Sequence, residues 1–454
     1  MLEKFFKLKE NGTDVKTEVI AGITTFMAMA YILAVNPSIL SASGMNAQAV
    51  LIATALSAFI GTMCMALMAN YPFALAPGLG LNAYFAYTVC LGMGYTWQFA
   101  LFAVFIEGLI FIVLSVTPVR EAIFNAIPLQ LKKGVSVGIG LFVAFIGLQN
   151  GKIIVNDDAT LVSIVSFKNA FSTIGIWALL TIIGTLIIAI LYIKKIKGAI
   201  LIGIFATWIL GIICELVGIY VPNVEAEFYS TIPSSFADFS FASIGQTFGA
   251  CFSASAFENF RVIDFIVIMF AFLFVDVFDT LGTLIGCADK ADMLDKEGKL
   301  PRIRPALLAD AIATSAGAIL GTSTTTTFVE SSSGVSAGGR TGLTSVVTGL
   351  LFLVSLILSP LFISIPGFAT APALIFVGFL MMSAITGIDL KDATEAIPAF
   401  LALLLMPLTY SISDGICIGV ISYVVINLCT GNAKKIKPLM YILAILFVVK
   451  YIVL

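Results

Sequence analysis

Two aspartates three residues apart, Asp276 and Asp279, stand in the apolar stretch IMFAFLFVDVFDTLGTLIG. That spacing puts both on one face of a helix. An ionisable group at bilayer depth costs ~2.5–3.5 kcal/mol on insertion scales and is functional by default. The stretch holds no Lys or Arg beside them, so the pair competes for protons and titrates as a unit. A third carboxylate, Glu330, lies in GTSTTTTFVESSSG, where the hydroxyls of Thr327 and Ser331 join it as candidate binding groups. Asp310, in LLADAIATSAGAI, is read as an interhelix hydrogen bond supporting the site, with coupling as the alternative. Glu107 is read as support as well, with function as its alternative. Glu215 and Asp414, near the ends of apolar runs, are expected to be solvated.

These residues need particular elements to hold them. Thr324–Val329 are β-branched or aromatic and favour an extended chain, and Glu330–Ser333 look like a helix start. The stretch lies between two apolar runs, where irregular backbone survives only if buried in protein or lining a wet cavity. A second interruption occurs in PFALAPGLGLNAYFAYTVC: an extended piece ending at Pro77, a break at Gly78-Leu79-Gly80, then a half-helix near Asn82. Gly78 and Gly80 are expected to permit unusual backbone angles and close approach of a ligand.

The whole chain reads as an all-α polytopic membrane protein. Of its 454 residues 60% are hydrophobic and 11% charged, and the mean hydropathy is +1.09. Fourteen spans are counted, with the two interruptions in spans three and ten; a fifteenth run, 437–454, either crosses or lies along the inner face. Twenty of the 24 Lys and Arg fall on the side of the N-terminus. Among them are Lys16, Arg120, Lys194, Lys296, Lys299, Arg340 and Lys434, whereas Lys152, Lys168 and Arg261 fall opposite and Lys450 lies in the last run. The N-terminus is therefore cytoplasmic in a multi-pass cell-membrane protein. MLEKFFKLKENGTDVKTEV has no apolar signal region. Each interruption follows one pair of helices, counted from Glu18 or Asp264, which suggests two seven-span halves in inverted orientation. The absence of histidine removes the usual proton shuttle and commonest metal ligand. The seven cysteines lack metal-like spacing and read as small hydrophobes. Neither cofactor nor metal is implied, and a net charge of −2 gives no sign of nucleic acid.

PFALAPGLGLNAYF, FVDVFDTLGTLIG and TTTTFVESSSG, with TEVIAGITTFMAMAYILAVNP near the start, resemble the nucleobase–cation symporters of the xanthine/uracil permease superfamily. Within it they resemble the azaguanine-like adenine/guanine/hypoxanthine branch. The resemblance runs from about Thr17 to Lys437. It implies a core domain (18–117 and 263–365) and a gate domain (128–221 and 370–430), with a cytoplasmic N-terminus (1–17) and an apolar C-terminal segment (431–454). Asp279-Thr280-Leu281-Gly282 fits the span-eight acid pattern of the uracil/xanthine branch, Glu330 to Gly334 fits its span-ten pattern, and Asn82 matches a span-three asparagine. A missing span-eight histidine argues against uracil. The implied activity is import of a purine nucleobase by a secondary transporter, not an enzyme, coupled to a cation, H+ in preference to Na+. The core would move against the gate, and a homodimer is left open. Asp276, Glu330, Asn82, Gly78 and Gly80 would form the base site, and Asp279 with Asp276 the proton site. An oxopurine suits these groups: carboxylates take its N–H donors, while Asn82 and amides at the half-helix starts serve its acceptors. An anion carrier of the same fold is disfavoured by three carboxylates. An intramembrane aspartyl protease would need its acids on two facing helices, and Gly78-Leu79-Gly80-Leu81 lacks the acid of such a motif.

Overall fold

A computed structural model of the chain describes residues 2–117, 127–168, 171–223, 228–232, 240–258, 260–295 and 300–453. Arg120, Lys296 and Lys299 lie outside the described residues, as do Met1 and Leu454 at the ends of the terminal segments. Ten helical segments among the described residues are long and apolar enough to cross a membrane.

The helices begin where the sequence supplies an oxygen for their first free N–H groups. Asp14 caps α1 (Val15–Met29), which a tight turn joins to α2 (Ile32–Leu40). Asn46 caps α3 (Ala47–Cys64). The span-three interruption follows as β1 (Leu75–Pro77) and α4 (Leu79–Ala83), the latter running on as a wider helix over Tyr84–Gly92. Thr96 caps α5 (Trp97–Ser115). Next come α6 (Leu129–Asn150), a hairpin of β2 (Ile154–Asp157) and β3 (Leu161–Ile164), α7 (Ile176–Ile193) and α8 (Ala199–Leu216). The helix α9 (Val262–Lys290) carries the aspartate pair, and α10 (Ile303–Leu320) leads into β4 (Thr325–Thr327) and the half-helix α11 (Ser331–Ser336). Then α12 (Gly342–Val354), α13 (Gly367–Met381), α14 (Ala393–Leu408), α15 (Ile412–Cys429) and α16 (Pro438–Val453) complete the chain. Extended backbone thus appears where β-branched residues cluster, and the span-three half-helix starts at Leu79, three residues ahead of Asn82. The break narrows to Gly78, because Leu79 and Gly80 already belong to the first turn.

Packing sorts the helices into two groups. One contains α1, α3, α5, α10 and α12, with α10 lying on α5 and α3 and α12 on α1 and α3. The other contains α6, α7, α8, α13, α14 and α15, where α13 and α14 flank α6 and α13 also meets α7 and α8. Within the first group β1 and β4 pair antiparallel, Ala76 opposite Thr326. Gly78 N–H donates to Thr324 O (3.0 Å) and Phe328 N–H to Ala74 O (2.9 Å), which extends the ladder at both ends.

An ion pair ties the fifteenth run to the helix before it. Lys450 is 4% exposed, and its Nζ reaches Asp414 Oδ1 at 2.8 Å and Ser413 Oγ at 3.2 Å. Asp414 opens α15 and Lys450 closes α16, so the two helices form an antiparallel hairpin and α16 runs the length of its neighbour. Asp414 is therefore paired, not merely solvated, and Tyr451 Oη also donates to it at 2.9 Å. Glu215 is engaged too, accepting from Ser230 Oγ (2.6 Å) and Thr231 N–H (2.6 Å). The cysteines are all free, but Cys429 is exposed, unlike the buried Cys90, Cys251, Cys287 and Cys417.

Two threonines satisfy strand edges. Thr62 Oγ1, on α3, accepts from Leu75 N–H at 2.9 Å and donates to Leu75 O at 3.2 Å. Thr314 Oγ1, on α10, does the same for Thr325, at 3.3 and 3.1 Å. Replacing either hydroxyl by a methyl strands a buried donor and acceptor, at about 1–3 kcal/mol per unsatisfied group. Thr62→Val and Thr314→Val are each expected to lower the thermal midpoint of purified protein in detergent. Midpoints equal to wild type would show that the strand edges are satisfied in another way.

Candidate functional site

The paired strands bring the two interruptions face to face and hold the carboxylates around them. Along β4 side chains alternate. Thr326 Oγ1 donates to Asp279 Oδ2 at 3.1 Å, whereas Thr325 turns the other way to Ser57 Oγ at 2.5 Å. Thr327 shares the Thr325 face and is 2% exposed, and its hydroxyl has no hydrogen-bond partner among the described residues.

The aspartate pair divides its attention. Asp279 is partly exposed and faces β4, within Coulomb range of Glu330 and Asp310. Asp276 is wholly buried. Its Oδ1 lies 2.8 Å from Thr280 Oγ1, and the same hydroxyl lies 2.9 Å from Asp310 Oδ1 on α10. Thr280, the chain neighbour of Asp279, thus links Asp276 to Asp310. Glu107, on α5, accepts from Thr324 Oγ1 at 2.8 Å and ties that helix to the same stretch.

Glu330 stands at the N-cap of α11 and receives the hydroxyl of Tyr31 on its Oε1 at 2.7 Å. The first amides of α11 are already spent: Ser331, Ser332 and Ser333 donate to Phe328 O, Val329 O and Glu330 O. The amides expected to serve a ligand's acceptors at this half-helix start are thus engaged within the turn. Ser331 is buried with its Oγ on Ala74 N–H (3.0 Å). Asn82 is buried as well, accepting from Ser323 Oγ and donating to Pro77 O at 3.4 Å. Both side chains brace the crossing elements against each other.

The two span-three glycines are there for space. Gly78 has φ −72° and ψ 128°, ordinary for any residue, so unusual backbone angles are not its reason. A Cβ on it would stand 3.0 Å from Thr326 Oγ1 and 3.2 Å from Asp279 Oδ2. A Cβ on Gly80 would stand 2.6 Å from Ile139 of α6 and 3.8 Å from Ile412 of α15. Gly80 of α4 thus lies against α6 and α15 of the second helix group. Beyond it, Thr88 Oγ1 donates to Tyr410 O at 3.1 Å and Tyr87 packs edge-on against the Tyr410 ring. On the opposite side, Gly282 and Gly286 continue Asp279's face of α9. Both are exposed, with no other described atom within 4 Å of an added Cβ.

Three participants went unnoticed in the sequence: Tyr31, Thr280 and Glu18. A tyrosine in the middle of an apolar run was the available signal for Tyr31. Glu18 is wholly buried and caps α12 by accepting from Arg340 N–H (2.8 Å), Thr344 N–H (3.0 Å) and Thr344 Oγ1 (2.6 Å).

Apolar spanning helices around two interrupted spans, crossing among buried carboxylates, define the class: a multi-pass membrane transporter. The fold is that of the transmembrane domain of the cyanobacterial bicarbonate transporter BicA, with a TM-score of 0.63 at 14% identity over 89% of this chain and 97% of that one. It also matches SLC26A9, with a TM-score of 0.63 at 12% identity over 92% of this chain and 66% of that one. At such identities the likeness is one of fold. The chain belongs to the xanthine/uracil permease family, whose model, described as a permease family, matches residues 16–418. The adenine permease AdeP of Escherichia coli is 42% identical over 100% of this chain and 96% of its own length. The guanine/hypoxanthine permease PbuO of Bacillus subtilis is 42% identical over 99% and 100%. A putative permease of Methanocaldococcus jannaschii, MJ0326, is 48% identical over 99% and 98%.

Gly80→Val is expected to abolish transport while the protein still reaches the membrane, because the new side chain meets Ile139. Ile139→Ala in the same molecule should restore part of the rate. Normal uptake by Gly80→Val alone would show that the groups do not close at this point.

Proposed function

We propose that the protein imports a purine nucleobase, bound where β1 and β4 cross, and couples import to protons. The observation that carries this is the pair of partly exposed carboxylates, Asp279 and Glu330, set beside the crossing strands in a chain 42% identical to adenine and guanine/hypoxanthine permeases. Carboxylates accept the N–H groups of an oxopurine or aminopurine. They repel an anion, and so the fold shared with a bicarbonate transporter does not extend to its substrate.

In this reading Glu330 and Asp279 contact the base. Asp276, buried behind them against Asp310, carries the coupling proton together with its neighbour. The sequence suggested the reverse assignment within the aspartate pair. Supporting the exchange are the burial of Asp276 and the exposure of Asp279, while titration of so close a pair belongs to both. Neutralising the site would let the core (18–117 and 263–365) move past the gate (128–221 and 370–430) without carrying a bare charge. Gly78 stays close to the base, and Thr327, Ser331 and Asn82 support the elements that bind it. Asp310 and Glu107 hold those elements to α9 and α5.

The inverted seven-plus-seven arrangement finds support in local geometry. Thr62 and Thr314 each bond both backbone groups of equivalent strand residues, Leu75 and Thr325. Glu18, at the start of α1, holds the loop after α11. Asp264, at the start of α9, takes the hydroxyl of Tyr95 from the loop after span three. With the N-terminus cytoplasmic, the glycine face of α9 would open inward and the contacts at Tyr410 would close the outer side.

Uptake of radiolabelled hypoxanthine, guanine and adenine by cells expressing the chain tests the substrate class. Unlabelled purine should compete, whereas sulfate and uracil should not; competition by sulfate with no purine uptake would refute it. Glu330→Gln is expected to weaken purine binding to purified protein about tenfold, since a lost partner leaves a buried donor unpaired at ~1–3 kcal/mol. Asp276→Asn should keep equilibrium binding and lose accumulation against a gradient, along with its pH dependence. Purine-driven acidification persisting in Asp276→Asn vesicles would remove Asp276 from the coupling, and an absolute sodium requirement would remove protons altogether.

A further inference from the structure

The first span is tightened at one point only a few residues long. Between α1 and α2, Leu33 N–H donates to Ala30 O at 3.2 Å and Ala34 N–H to Tyr31 O at 3.0 Å, three residues back. Ala30 and Tyr31 keep helical angles, φ −61° and −58°, so the helix narrows there without unwinding. A mid-helix stretch of such turns often marks a functional hinge or a sequence under strain. Tyr31 sits on this turn and is 1% exposed. Its hydroxyl lies 2.7 Å from Glu330 Oε1, on an element 299 residues away in the chain, and within Coulomb range of Asp279. A phenol so deeply buried needs a partner for its single hydrogen. Here that partner is the carboxylate assigned to the base.

We propose that Tyr31 is a positioning residue for nucleobase recognition: its hydroxyl fixes the Glu330 carboxylate so that Oε2 faces the N–H edge of the base. The inference rests on the base-site reading given above. Three physical facts lead to it. A hydrogen bond to a charged acceptor is about twice as strong as a neutral one, so it can hold a carboxylate in one rotamer. The phenol donates one hydrogen to one oxygen, which keeps the second oxygen as an acceptor for N–H. Apart from its own backbone N–H, Glu330 gets no amide from the start of α11, because those of Ser331 to Ser333 all serve the turn. Holding the carboxylate before the ligand arrives lowers the ordering cost of binding. Tyr31 thus acts through Glu330 and discriminates for ligands that present N–H donors.

The test is a double-mutant cycle on purified full-length protein, with hypoxanthine as the probe. Tyr31→Phe removes one oxygen and keeps the ring. It is expected to raise the hypoxanthine Kd and the transport KM about tenfold, with the maximal rate and the thermal midpoint little changed. In a Glu330→Gln background the same change should add almost nothing, because the carboxylate it positions is gone. A merely structural tyrosine would lower the midpoint and the maximal rate and would act independently of Glu330. Full affinity in Tyr31→Phe, with Glu330→Gln weakened, would overturn the role of Tyr31 and leave the base site standing. Full affinity in Glu330→Gln itself would overturn the base-site reading, and this inference with it.

Discussion

A two-stranded sheet at bilayer depth has a severe constraint: it has two open edges and no water to satisfy them. Everything about the centre of this molecule follows from meeting that constraint. The inner edges of β1 and β4 satisfy each other, from Ala74 to Gly78 against Thr324 to Phe328. Their outer edges are met by side-chain hydroxyls, Thr62 for Leu75 and Thr314 for Thr325, each donating and accepting at once. Ser345 Oγ reaches the carbonyls of Tyr71 and Phe73 on the approach to β1, at 2.7 and 2.9 Å. The density of threonine and serine in the apolar core is thus a backbone requirement before it is a ligand-binding feature.

That requirement also explains what many of the polar side chains here are engaged in. Asn82, Ser331 and Thr325 have their side chains committed to bracing, as does Thr324 through Glu107. Asp279 and Glu330 keep partial exposure, each fixed by one hydroxyl, from Thr326 and Tyr31. A carboxylate held by so few donors retains lone pairs for another. The site can therefore be rigid in its backbone and still present acceptors to a ligand.

The two helix groups meet through an apolar contact at Gly80 and through a few hydrogen bonds, Thr88 Oγ1 to Tyr410 O and Lys197 Nζ to Thr24 Oγ1 among them. Gly80 against Ile139 and Ile412 is a contact without hydrogen bonds to break. The hairpin of α15 and α16 is different in kind, since Lys450 and Asp414 form a deeply placed ion pair. Its α16 face also meets α9, where Phe447 lies edge-on to Phe270 and Phe274. The last helix is thus held to α15 by an ion pair and meets α9 through aromatic rings.

The sequence by itself determined the class of fold and the interrupted spans, because composition and local propensity act over a few residues. Thr324–Thr327 could only be extended, and Pro77-Gly78 could only break a helix. It also singled out the acids, since carboxylates in an apolar run announce themselves. Tertiary structure decided what each one touches. Asp276 and Asp279 share a helical face in the sequence, but the Thr280 hydroxyl joins Asp276 to Asp310 of α10, and pairing of β4 gives Asp279 its Thr326. Asn82 is a candidate ligand group in the sequence, and the fold brings Ser323 to its Oδ1 from the other half of the chain. Lys450 looked like a stray charge until α16 folded back on Asp414. Tyr31 lies 299 residues from Glu330, and nothing local to either could have joined them. Local chemistry fixes what a residue can offer, whereas only the meeting of distant segments fixes what accepts it.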